Sequence, residues 1–209
     1  MHINDADYPD GQPSNEVKLK ALGFDASGHR GGGIERPQVK VLPTNTVLLR
    51  FHNPVLKVGD LPGDFGAWWF TPFELSRICD YFGVNGSALI VDRSSGKSAL
   101  HGILALLREW YEGSPTQLSY VNAVRLKDPF LVCYGEGAPA NTQGYARTLK
   151  PIKLGGSRPA RQIYIHNCWN YQASMDRLLA PNTSTDAVFG SGAGLPARIT
   201  QAPRLSFEV

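Results

Sequence analysis

The chain has 209 residues, of which 42% are hydrophobic and 19% charged, and its formal net charge is +3. These values exclude general disorder and leave room for one domain with a real core. The basic residues are scattered and form no run, so nucleic acid is not the expected partner, and no apolar stretch is long enough to span a bilayer.

The opening segment, MHINDADYPDGQ, has neither a basic region nor an apolar run, so no cleaved secretory signal is expected. The expectation is a chain made in the cytoplasm, with export only by a route that needs no such signal. Residues 1–40 are polar and turn-rich and read as an N-terminal arm, either flexible or wrapped on the rest. Residues 41–209 then form a single α+β domain. The run Gly31–Gly33 follows no strand and opens no helix, which argues against a phosphate loop.

Residues 46–52 (TVLLRFH) are β-branched and apolar and predict a strand, and 66–70 (GAWWF) predict a second. Thr71-Pro72-Phe73-Glu74 then spells a helix start: a threonine cap, a proline at the first helical position and a glutamate three residues after the cap. Leu75, Ile78, Cys79 and Phe82 recur at helical spacing until Gly83. Residues 87–92 (SALIVD) fit strand or helix. Residues 98–112 predict an amphipathic helix, with Leu100, Ile103, Leu104, Leu107 and Tyr111 on one face. The runs 117–126 and 130–135 flank Lys127-Asp128-Pro129 and predict an antiparallel hairpin. Residues 136–160 read as loop with an edge strand in ARTLKPIKL, 161–166 as a strand, 170–179 as a short helix, and RLSFEV as a last strand. There is no internal repeat.

Three chemistries can be weighed on residues alone. Gly96-Lys97-Ser98 resembles the end of a phosphate-binding loop, but the glycine required five residues before the Gly-Lys pair is Val91. Cys168 follows a strand and precedes a helical pattern, the setting of an activated thiol, with His52, His101 or His166 as its base; a buried small hydrophobe is the alternative. Five histidines and three cysteines at wide spacing show no metal-ligand pattern and no disulfide framework, so reduced thiols and no metal are expected.

The order of VLLRFH, WWFTP with its helix, LSYVNAVRLKDP and RQIYIH resembles the ADP-ribosyltransferase toxins of the pertussis and cholera group over about residues 46–166. The resemblance implies a split, mostly antiparallel β core with two main helices. It also implies a bacterial effector that uses NAD as substrate, either a mono-ADP-ribosyltransferase or an NAD glycohydrolase. Arg50 would bind the NAD diphosphate, Thr71 would brace the nicotinamide site, and Trp69 or its neighbour Trp68 would line it. Tyr120 to Arg125 resembles the family's tyrosine-to-Val-Arg strand. Where the family places its catalytic glutamate this chain has Arg161-Gln162, which leaves Gln162 or Glu136 to orient the ribose. The expected partner is a protein target. Two other readings stand beside this one: a non-enzymatic interaction protein that uses the arm and the 136–160 loop, and a cysteine hydrolase at Cys168. The residues also have plain structural roles, Arg50 in a salt bridge, Thr71 as a cap and the tryptophans in the core.

Overall fold

Residues 47–52, 68–69, 120–126 and 130–134 form strands where the sequence is β-branched, aromatic and apolar. The computed structural model describes residues 2–24, 26, 28, 31–52, 57–58, 61–62, 65–82, 120–141, 148–149, 159–180 and 183. Its strands are β1 (Ile34–Leu42), β2 (Val47–His52), β3 (Lys57–Val58), β4 (Leu61–Pro62), β5 (Trp68–Trp69), β6 (Tyr120–Leu126), β7 (Phe130–Gly137), β8 (Ala140–Asn141), β9 (Thr148–Leu149), β10 (Arg161–Tyr164) and β11 (Met175–Arg177). Among the described residues the α-helices are α1 (Asn15–Ala21) and α2 (Pro72–Phe82), and Cys168–Ser174 forms a 3-10 segment. None of these helices is long and apolar enough to cross a membrane.

One antiparallel sheet has the order β1-β7-β10-β5 and a second has the order β11-β6-β2. Among the described residues one isolated bridge, between Leu49 and Phe70 and closed by two backbone hydrogen bonds of 2.8 and 3.0 Å, joins them. The result is an α+β domain with a split antiparallel core. Leu42, Leu48, Trp69, Val124, Phe130 and Ile163 are among the buried side chains that fill the space between the sheets. On the other face of the four-stranded sheet, Tyr8, Val17 and Ala21 of the arm pack against Ile34, Leu131, Cys133 and Tyr164. Alternation along the strand sends Ile163 to the first cluster and Tyr164 to the second.

The arm is therefore wrapped on the domain over its described residues. Ser14 caps α1 by accepting from the Val17 amide at 3.3 Å. β10 leaves β7 after the Tyr164–Cys133 pair, and beyond that point Asn4 stands in for a strand. Its Nδ2 donates to the Leu131 carbonyl at 2.7 Å, and its Oδ1 accepts from the Leu131 amide at 2.9 Å.

Four local expectations are corrected. β6 and β7 do not form a hairpin: β6 pairs with β2 and β11, and β7 with β1 and β10. At the corner between them the Lys127 amide donates to Ser174 and the Pro129 carbonyl accepts from Ile3, so neighbours other than the facing strand satisfy the backbone. The second correction is β1, which occupies what read as arm. Its Pro37 follows Arg36, whose φ is 50, and the register shifts between Glu35 and Gln38. A bulged edge strand tolerates a proline that an inner strand would reject. Third, residues 170–179 form no α-helix, because the 3-10 segment gives way at Met175 to pairing with β6. Last, β5 is shorter than the GAWWF run. The segments 87–92 and 98–112, Gly96-Lys97-Ser98 and the terminal RLSFEV lie outside the described residues.

Candidate functional site

β2 is buried at five of its six positions, and Arg50 is the half-buried sixth. Leu48, two residues earlier on the same face, lies in the inter-sheet core, so alternation turns Arg50 toward the space between the sheets. Its Nη1 donates to the Trp68 carbonyl at 2.9 Å. The guanidinium lies against Gly66, where an added Cβ would land on Nη2 and Cζ, so only glycine permits this approach. The Gly66 carbonyl in turn accepts from Trp69 Nε1 at 2.7 Å. Trp69 is buried edge-on to Phe65, with ring centroids 6.0 Å apart.

Cys168 lies close enough to Arg50 to feel its charge. Burial nevertheless pushes the thiol up to about 12, against the opposing effects of Trp69 and Arg50. The residue is fully buried and heads a 3-10 segment after Asn167, whose φ is 45. A nucleophile needs an accessible thiol with a lowered pKa. Cys168 has neither, and the cysteine-hydrolase reading is corrected: the side chain fills the core.

A second polar group is built around the start of α2. Thr71 is buried, and its Oγ1 accepts from the Glu74 amide at 3.3 Å. The Glu74 carboxylate reaches beyond its own helix: Oε2 accepts from the Arg161 amide at 3.1 Å and from Arg77 Nη1 at 2.7 Å. Burial holds the Glu74 carboxyl above the usual carboxylate range, although the Arg161 amide and the Arg77 guanidinium oppose the shift. Arg161 Nη1 donates to the Tyr134 hydroxyl at 3.0 Å. Burial raises the Tyr134 pKa, and Arg161 again pulls against it. In register, Arg161 faces Glu136 of β7, and Glu136 faces Glu35 of β1 on its other side.

The structure thus brings Arg50 and Trp69 together around Gly66, with Thr71 two residues further along, and places Glu136 beside Arg161. Gln162 is 8% exposed and pairs in register with Gly135. Because Ile163 points between the sheets, alternation turns Gln162 to the opposite face of β10, the face of Tyr164 and Cys133. Of the two tryptophans, Trp69 faces inward, whereas the half-buried Trp68 packs on Tyr164 with ring centroids 4.9 Å apart. Sequence reading missed the roles of Gly66, Tyr134 and Arg161 and took Glu74 only as a cap. The one local signal was the glycine just ahead of the tryptophan pair. Among the described residues no group of three or more His, Cys, Asp or Glu side chains could hold a metal ion.

No protein-family profile matches this chain, and no curated protein sequence does. Among solved structures, Rhs1-CT in complex with its cognate immunity protein RhsI1 is similar over 81% of this chain and 96% of that chain, at 13% identity and a TM-score of 0.43. The structure of Tse6 in complex with Tsi6 is similar over 86% of this chain and 100% of that chain, at 14% identity and a TM-score of 0.33. Neither likeness assigns this chain a fold family or an activity.

Proposed function

We infer that the chain is a bacterial toxin-like effector that binds NAD and cleaves its nicotinamide–ribose bond, as a mono-ADP-ribosyltransferase or an NAD glycohydrolase. The observation that carries this reading is Arg50, a half-buried guanidinium at the seam of the two sheets, held on a carbonyl and seated against a glycine. A planar, permanently charged fork in that position suits a diphosphate, which it grips by paired hydrogen bonds. Trp69 and Thr71 serve as positioning residues, the first by fixing the Gly66 carbonyl and the second by fixing the start of α2.

In the reaction the C1′–N bond breaks and its electron pair leaves with the nicotinamide nitrogen. The oxygen of water, or a nucleophilic group of a protein target, bonds to C1′ and gives up its proton. The transition state has oxocarbenium character and is stabilised by a nearby anion. Glu136, half-buried on β7, takes that role in this reading, whereas Gln162 faces the far side of β10. The proposal includes a protein partner, either the modified target or a cognate immunity protein such as the one in complex with Rhs1-CT.

The test is a thermal-shift titration with NAD followed by a nicotinamide-release assay. A ligand at a hundredfold excess over its Kd adds about 2.7 kcal/mol of stability. For a chain of this size that corresponds to a rise of about 5–11 °C. Arg50→Ala should abolish the rise while keeping the melting temperature without ligand close to that of wild type. A flat wild-type response up to millimolar NAD refutes the reading. Binding without nicotinamide release favours the non-enzymatic interaction protein, in keeping with Arg161-Gln162 at the start of β10.

A further inference from the structure

Trp68 connects two faces of the molecule. Its carbonyl holds the Arg50 guanidinium at 2.9 Å. Its ring lies on the opposite face of β5, against Tyr164, its partner in register. The Tyr164 hydroxyl shares a hydrogen bond of 2.9 Å with His166 Nδ1, and both residues are 5% exposed. The other ring nitrogen of His166, Nε2, lies 3.6 Å from Glu16 Oε1 on α1 of the arm. Four consecutive contacts therefore run from the arm to Arg50.

We propose that His166 is a positioning residue for the Arg50 site, which fixes Tyr164 and through it Trp68, and so couples the docking of the N-terminal arm to the placement of the Arg50 guanidinium. A chain of packed rings and hydrogen bonds is the kind of contiguous path that carries such coupling. Each link has a distinct chemical handle. The Tyr164 hydroxyl can be removed while its ring stays against Trp68, and Glu16 is 70% exposed, so its carboxylate can be neutralised without disturbing the core.

The effect on NAD affinity rests on the function proposed above, but the placement of Arg50 can be read without NAD. The experiment follows the Arg50 Nε–H resonance in a 15N-labelled protein, assigned by its loss in Arg50→Lys. Tyr164→Phe and His166→Ala should both shift this resonance, and Glu16→Gln should shift it in the same direction by less. With NAD, the first two variants should raise KM about fivefold, the worth of one hydrogen bond of about 1 kcal/mol, and leave kcat unchanged. An Arg50 resonance unmoved in Tyr164→Phe and His166→Ala overturns the proposal. If wild type binds no NAD while the resonance shifts as described, the functional reading fails and the coupling stands. Should His166→Ala fail to fold, the conservative Tyr164→Phe decides the question alone.

Discussion

Replacing Asn4 by alanine tests whether the arm is part of the fold. Asn4 is 1% exposed, and its amide makes two hydrogen bonds, of 2.7 and 2.9 Å, to the backbone of Leu131. Alanine removes both and leaves a buried amide and a buried carbonyl without these partners. Each such group costs about 1–3 kcal/mol, so the pair costs about 2–6 kcal/mol, toward the lower end if water enters the space vacated by the side chain. A loss of 3 kcal/mol lowers the melting temperature by about 6–12 °C in a chain of this length. Urea denaturation should show a lower midpoint at an unchanged slope, which separates lost stability from a change in the surface exposed. Asn4→Asp keeps an acceptor for the Leu131 amide but sets a carboxylate oxygen against the Leu131 carbonyl, and should destabilise at least as much at neutral pH. A melting temperature within about 1 °C of wild type for Asn4→Ala, well below the working range just given, would refute the argument that this side chain substitutes for a strand.

Gly66→Ala should cost little stability, since the atoms its Cβ meets are the movable end of Arg50, yet it should displace the guanidinium and, under the function proposed above, weaken NAD binding about tenfold in calorimetric titration. Unchanged NAD affinity would detach Arg50 from the site. Thr71→Ala removes the cap of α2 and should destabilise by about 0.5–2 kcal/mol, with Thr71→Ser restoring most of the loss in thermal melts. Glu74 gives a pH signature. Its carboxyl is raised in the folded state, so the folded protein holds this proton more tightly than the unfolded chain does. The associated stability is fully present below the ordinary carboxylate value of about 4.3 and is lost as pH rises through the raised one. Urea midpoints measured from pH 4 upward should therefore move in favour of Glu74→Gln relative to wild type; a difference that stays constant with pH contradicts the burial argument.

The sequence made the pieces around Arg50 legible because their signals are local. VLLRFH is a strand by composition, and Thr71-Pro72 starts a helix by capping chemistry alone. What stayed hidden is what long-range contact decides. Glu74 looks complete as a capping residue, and nothing near it announces that its carboxylate will meet the Arg161 amide. Strand β1 was concealed by Pro37, whose cost disappears at a bulged edge. The hairpin expected around Lys127-Asp128-Pro129 failed because adjacency and turn residues do not reveal which sheet each strand joins. Gln162 shows the sharpest limit. Its position in sequence suited a site residue, but one step of strand alternation turned it to the opposite face.

The pairing pattern also governs how the chain must acquire its shape. Leu42 meets Phe130, Val47 meets Arg125 and Trp69 meets Ile163, so in the two main sheets β1, β2 and β5 find their strand partners in the second half of the sequence. Neither main sheet can assemble on a ribosome until residues beyond 120 have emerged, and β5 must wait for β10. Closing such wide loops before any contact rewards it makes folding slow compared with a chain of sequential hairpins. During that interval the tryptophan pair and the apolar strands remain open to water and to other chains. The delay before the Arg50 seam closes sets the earliest moment at which the chain can bind anything there.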